Sequence, residues 1–316
     1  MARKYLLNLC HDLALSGGAI PRRLQQMEAD LQPLAQWLDE KALPGEEIEL
    51  VPWGWDRRVV LQYGLHCEQE QLDGAKALSS KAIVEKVLQY FEGMEGICGE
   101  SCNATTIEQV EQLCPTWKSV VVKQIHSSSG RGLRFVDNLS PADKTWIARR
   151  LRADGMVVVQ PRMEAVLDAA LEFEITHEGA TFTGYSVFFT ERGAWKGNLV
   201  ASPAELRQMI SRRVGDKVLD LAIATICRAL EELNCGRYKG PVGVDMLACN
   251  TPQGPRLMPC IEVNARTTMG MLAQSLWQRL HRRGILRIGP VLPHASIPLL
   301  PQSPTRRNTA WLEPKE

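Results

Sequence analysis

The sequence predicts an α/β protein of more than one domain, and three observations carry that reading. Strand-like and helix-like segments alternate from the N-terminus to about residue 160. From residue 171, three strand-like runs follow one another across short glycine turns, as in an antiparallel meander. Near the C-terminus two further runs, 241–249 and 256–263, each carry an acid among apolar residues. A chain of 316 residues can bury cores for two or three domains, and 45% hydrophobic with 23% charged residues is an ordinary globular composition.

Taken in order, residues 4–9 read as a first strand running into a loop from His11 and Asp12 to Gly17 and Gly18. Leu24, Met27, Leu31, Leu34 and Leu38 recur at helical spacing over 21–38. Pro44 and Gly45 introduce a strand at 47–51, which completes an N-terminal α/β domain over 1–78. Ser79 and Ser80 cap a helix with Ile83, Val84, Val87, Leu88 and Phe91 inward, stopped by Gly93 and Gly96. A helix after Thr105 and Thr106 stops near Cys114 and Pro115. Strands at 119–122 and 133–136, a helix at 141–152 and a strand at 156–160 fill a second unit, 79–160. The meander strands are 171–177, 180–190 and 195–200. A helical stretch from Pro203 to Leu233 breaks near Gly215, and a last helix over 268–282 closes a third unit, 161–289. The proline-rich segment 290–316 reads as an extended or partly disordered tail.

Net charge of +1 argues against a nucleic-acid or membrane partner. No apolar run reaches the roughly 18 residues that a membrane span needs. The N-terminus meets His11 and Asp12 too early for a secretory signal, so a cytoplasmic protein is expected. Nine cysteines at irregular spacing read as reduced, structural thiols, and Cys98 with Cys102 lacks the second pair of a zinc site.

Two constellations carry chemistry. Glu262 and Asn264, two apart on a strand, share a face, and Asp245 joins them if its strand pairs alongside. Two carboxylates and an amide oxygen make a hard-oxygen site suited to magnesium, with bound phosphates completing the shell. The competing reading is that the acids form ion pairs with buried arginines, and Arg266 stands just beyond. The second is Lys123 at the end of a valine strand, followed by Ser127, Ser128, Ser129, Gly130, Arg131 and Gly132. Small residues let backbone N–H groups approach phosphate oxygens, and Lys123 supplies a point charge; a plain hairpin turn is the alternative. The spacing is not that of a P-loop, and no GxGxxG follows a strand. His11 and Asp12 end a strand where ligands gather or where a cap is needed. Trp53 to Trp55, Trp195 to Asn198, and Arg237 with Lys239 read as core, exposed turn and surface loop, or as pocket and phosphate contacts.

The order of these motifs resembles the ATP-grasp superfamily, which includes D-alanine–D-alanine ligase, biotin carboxylase and carboxylate–amine ligases. The likeness runs over about 79–283. Its marks are Ser80-Lys81, Lys123 before the serine–glycine loop, Gln160-Pro161-Arg162-Met163, the acidic run from Glu172 to Glu174, Asp245, and Glu262 with Asn264. The resemblance implies a Rossmann-like N-terminal domain followed by a two-subdomain α+β module that clamps ATP. By the same resemblance Lys81 and Lys123 bind phosphates, and Ser128, Ser129, Gly130, Arg131 and Gly132 form a lid. Backbone groups at Arg162 and Met163, beside Gln160 where relatives carry an acid, hold the adenine. Glu172, or Glu174 in its place, takes the ribose hydroxyls. Asp245, Glu262 and Asn264 hold magnesium, or manganese instead, and Arg266 and Lys123 are the catalytic cations.

The implied activity is an ATP-dependent ligase that turns a carboxylate into an acylphosphate for attack by an amine or similar nucleophile. Its partners would be small carboxylate and amine-type substrates, with a homodimer the default assembly. A kinase of the same fold and a non-catalytic nucleotide binder are the alternatives.

Overall fold

The structure, a computed structural model, describes residues 1–127, 130 and 132–315. At the N-terminus β1 (Ala2–Leu6) and β2 (Ile48–Pro52) pair in parallel, Ala2 opposite Ile48. A parallel pair needs a crossover, here α1 (His11–Leu15), α2 (Arg22–Leu31) and a 3-10 turn at Gln32–Trp37 that contains Pro33. The Rossmann-like expectation is met by this single β–α–β turn. The first strand ends at Leu6, three residues before the sequence suggests. The Asn8 side chain leaves the strand path to bond both the carbonyl and the N–H of Gly54, at 2.7 and 3.2 Å. Two helices without a strong apolar period follow, α3 (Arg57–Tyr63), capped by Asp56, and α4 (Gln69–Leu78). Gly74 lets α4 lie directly on the Tyr238 backbone, where a Cβ would come within 2.8 Å.

After α5 (Ile83–Gln89) the chain builds a four-stranded antiparallel sheet from β3 (Cys102–Ala104), β4 (Val120–Lys123), β5 (Leu133–Val136) and β6 (Val157–Pro161), in the order β3-β6-β4-β5. Helices α6 (Ile107–Trp117) and α7 (Pro141–Asp154) cover one face; capping boxes at Thr106 with Gln109 and at Ser140 with Asp143 open both. Val120, Val122, Val157 and Val159 point into that small core. Strand alternation therefore turns Val121, Lys123, Val158 and Gln160 to the opposite face.

The large sheet has eight strands: β7 (Glu164–Thr176), β8 (Gly179–Glu191), β9 (Ala194–Val200), β10 (Gly240–Thr251), β11 (Gly254–Asn264), β12 (Gly284–Gly289), β13 (Ile297–Pro298) and β14 (Thr309–Pro314). Their order is β11-β10-β7-β8-β9-β12-β14-β13. Leu171, Phe173, Val187, Val242, Val244 and Met246 bury one face in the main core. That core includes residues of α5, α8 (Pro203–Val214) and α9 (Asp216–Asn234), the last two separated at Gly215 with φ +90°. Part of the other face packs on α10 (Met269–Leu280), whose Leu272 and Leu276 join Leu31, Leu34 and Trp53 in a second core. The rest looks across at the small sheet.

The segment after Gly289, expected as an extended or partly disordered tail, contributes two strands to the large sheet. β14 pairs with β12 from Gly284 opposite Pro314 to Gly289 opposite Thr309, and Leu299, Leu300, Ala310 and Leu312 enter the second core. Asp30 on α2 accepts the backbone N–H groups of Arg307 and Asn308 at 3.1 and 2.9 Å. Prolines misled the composition argument because Pro298 lies on the edge strand, where a missing N–H leaves no ladder bond unmade, while Pro290, Pro293, Pro301 and Pro304 lie in the connections.

Candidate functional site

Between the two sheets lies a cleft of about 670 Å³. Its floor is the free face of the large sheet, and strand pairing arranges the floor residues in three rows about 7 Å apart. Asp168 stands level with Phe188 and Leu247; Ala170 with Ser186 and Asp245, and Asp245 with Glu262; Glu172 with Gly184 and Gly243, and Gly243 with Asn264. The opposite wall is Val121, Lys123 and Gln160, and the hinge of Pro161, Arg162 and Met163 joins them at the Asp168 end.

Asp245 and Glu262 are direct cross-strand partners, and the register of β10 against β11 shifts just past Asp245. Burial, then the neighbouring Glu262 charge, push the Asp245 carboxyl up to about 7. Two lysines converge here. Lys81 is buried, its Nζ 2.7 Å from Glu262 Oε1 and 2.8 Å from the Ser127 carbonyl. Lys123 Nζ donates to the Ile261 carbonyl at 3.0 Å; burial lowers it to about 8, against the pull of Glu262. Two acids and an amide at this density are a donor set that a divalent cation would relieve. Among the described residues no group of three His, Cys, Asp or Glu side chains forms a metal site, so ligand oxygens would have to complete the shell.

Arg266 is held on several sides. Its Nε and Nη2 reach the two Asp12 oxygens, each at 3.0 Å, Nη2 also donates to Asn264 Oδ1 at 2.8 Å, and Nη1 to the Thr267 carbonyl at 3.2 Å. Burial alone would raise Asp12, but the guanidinium and the His11 ring hold it well below the usual carboxylate range. His11 Nδ1 sits 3.2 Å from Asp12 Oδ1, and its ring packs on Gly54 so closely that a Cβ there would meet it at 2.5 Å.

Glu172 is 1% exposed. Thr268, the N-cap of α10, donates to its Oε1 at 2.9 Å, while Oε2 has no hydrogen-bond partner. Burial drives this carboxyl up to about 8.

The sequence matches no family model and no curated protein. Its fold does have counterparts among solved structures. A protein assigned to the ATP-grasp superfamily from Archaeoglobus fulgidus superposes with a TM-score of 0.55 at 13% identity, over 100% of both chains. N5-carboxyaminoimidazole synthetase from Staphylococcus aureus, complexed with ADP, gives 0.53 at 9% identity, over 100% of this chain and 93% of the other. The biotin carboxylase–β,γ-ATP complex from Campylobacter jejuni gives 0.54 at 14% identity, over 79% of this chain and 61% of the other.

The chain has the ATP-grasp fold.

Within that fold, Lys81, Lys123, Gly130, Gln160, Arg162, Met163, Glu172, Asp245, Glu262, Asn264 and Arg266 all line the one cleft. Ser128, Ser129 and Arg131 lie outside the described residues. Gly130 approaches the β8–β9 turn, where a Cβ would come within 2.7 Å of the Gly193 carbonyl oxygen, so this glycine reaches the large sheet across the mouth. Lys81, read from sequence as a helix-opening lysine, is a buried ion-pair partner. Gln160 is buried and donates to Ser101 Oγ at 3.3 Å, and the Arg162 N–H is taken by the Ser119 carbonyl at 2.9 Å. Glu172 sits one row beyond the Asp245 row, on the side away from the hinge, and Glu174 lies outside the cleft with its charge opposite Arg3.

Sequence reasoning missed Asp168, Ser186 and Thr268, while Asn198 belongs to the run from Trp195 that reads as an exposed turn or as a pocket contact and here lines the cleft. Asn198 Nδ2 donates to Ser186 Oγ at 2.7 Å and is fixed by Trp195 Nε1 at 2.6 Å. Asp168 could have been found by counting back along the alternation from Glu172. Thr268 is legible only as a cap. Arg237 and Lys239 stay outside the cleft, with Lys239 bonded through its backbone to Gln71. No helix among the described residues is long and apolar enough to cross a membrane.

Proposed function

We propose that the chain is an ATP- and magnesium-dependent ligase that converts a carboxylate to an acylphosphate for attack by an amine or similar nucleophile. The observation that carries this reading is the Asp245–Glu262 pair with Lys81 and Lys123 closing on it between two sheets. Solved neighbours include ADP complexes of N5-carboxyaminoimidazole synthetases and a biotin carboxylase complex, which agree with nucleotide use.

Adenine would lie against the hinge at Gln160, Arg162 and Met163. Asp168, the first acid on the floor past that hinge, fits the ribose better than Glu172, which lies about 13 Å farther along the strand. Lys123 and Lys81 would hold phosphates, with Gly130 lining the cleft beside them. Asp245, Glu262 and Asn264 would hold magnesium, and magnesium, when bound, neutralises charge on the transferred phosphate. Arg266, oriented by Asp12, would present its remaining N–H to an anionic group. Positioning and electrostatic stabilisation then supply the rate, with no protein nucleophile required.

The test is product analysis with ATP, magnesium and a pool of candidate acids and amines. Ligation releases ADP and inorganic phosphate in equal amounts; ADP with a stable phosphorylated product and no free phosphate would establish a kinase instead. Glu262→Gln should remove the magnesium dependence of nucleotide affinity, read by calorimetry.

A further inference from the structure

The charges in the cleft do not all find partners. Arg266 pairs with Asp12 and Lys81 with Glu262, and their remaining N–H groups are those assigned above to anionic groups of the ligands. Under the ATP reading, Asp245 is spoken for by the cation and Lys123 by phosphate. Glu172 is left with a buried carboxylate oxygen that no described group satisfies, and such an oxygen is costly to leave unmade. It also lies past the metal row, beyond where the terminal phosphate would end.

The surroundings of that oxygen are of two kinds. Thr268, Ser186 and Asn198 make a fixed polar rim, and Gly270 opens α10 against Glu172 and Ser186, where any Cβ would collide with both. Apolar wall comes from the N-terminal unit and its neighbours: Leu31, Trp53, Met269 and Ile288 line the same cleft. The Thr267 N–H donates to the Trp53 carbonyl at 2.8 Å, which places that wall beside the Thr268 end.

We propose that this end of the cleft is the acceptor site, and that it takes a primary amine on an apolar body, with the ammonium donating to Glu172 Oε2. The inference rests on the ATP reading for its place in the reaction, although the amine contact itself does not. With Glu172 giving up its proton as the cation docks, an ammonium supplies both the missing hydrogen bond and the countercharge, whereas beside an ionised Glu172 a hydroxyl supplies only the first and a carboxylate neither.

Calorimetric titration of the full chain tests this, with and without AMP-PNP and magnesium. The probes are 3-methylbutylamine, 3-methylbutan-1-ol, 3-methylbutanoate and methylamine. The expected result is that 3-methylbutylamine binds at least tenfold more tightly than the alcohol and the acid, and at least tenfold more tightly than methylamine. Glu172→Gln should abolish the preference for amine over alcohol while AMP-PNP affinity is kept. Equal or tighter binding of the alcohol or the acid to the unaltered chain overturns the proposal without any variant, and so does a Glu172→Gln chain that keeps the preference. Methylamine binding as tightly as the larger amine removes the apolar body. If AMP-PNP binds but no amine preference appears, the amine inference fails alone. If amines are preferred but AMP-PNP does not bind, the ATP reading fails and the amine site stands.

Discussion

Glu172 shows how one side chain can couple stability to function. Its folded pKa is raised from 4.5 to about 8, so folding favours the protonated form. That contribution is present in full below about pH 4.5 and is lost as pH rises toward 8, because the unfolded chain ionises first. Asp245, raised to about 7, acts in the same direction. Urea unfolding of the ligand-free chain should therefore show stability declining from pH 5 to 8. Glu172→Gln should flatten the slope and raise stability at pH 8 by roughly 2 kcal/mol, because the carboxylate no longer has to be buried. An unchanged slope would mean that Glu172 is solvated.

At the scale of elements, the site depends on how closely α10 approaches the floor of the large sheet. Its first turn brings Gly270 against Glu172 and Ser186, and Thr268 caps the helix while bonding the same carboxyl. In a free helix Gly→Ala would stabilise by up to about 1 kcal/mol. Here Gly270→Ala should destabilise by roughly 1 to 3 kcal/mol, since the added methyl must push apart helix and sheet. Thermal unfolding gives the sign of the effect, and the sign separates close packing from helix propensity. The same alternation that aims Lys123 and Gln160 across the cleft places Val122 and Val159 in the small core, so the valine runs fix the direction of the polar residues between them.

At the scale of the molecule, the N-terminal unit, the large sheet and the C-terminal strands share one core. Leu31 and Leu34 meet Leu299, Leu300 and Leu312, and Asp30 ties α2 to the backbone at Arg307 and Asn308. Ending the chain after Ser296 should therefore expose that core and the edge of β12, giving an aggregating or poorly folded product by size-exclusion chromatography and circular dichroism. A dispensable tail would leave both measurements unchanged.

Sequence alone determined the order of most elements between about residues 79 and 282, and much of the cleft floor. Period-two alternation on apolar strands put Glu262 and Asn264 on one face, and the turn after Asn250 brought Asp245 beside them. Both are local properties, encoded within a few residues. Tertiary structure decided the partners. Asp12 and Arg266 pair across 254 residues, and Lys81 reaches Glu262 across 181. The place of Glu172 beyond the metal row depends on which strands are neighbours. The proline count of the last segment gave no hint that β14 enters the large sheet. Such choices are made by burial summed over the whole chain, where a partner is selected by the space left to it, and no local period records that space.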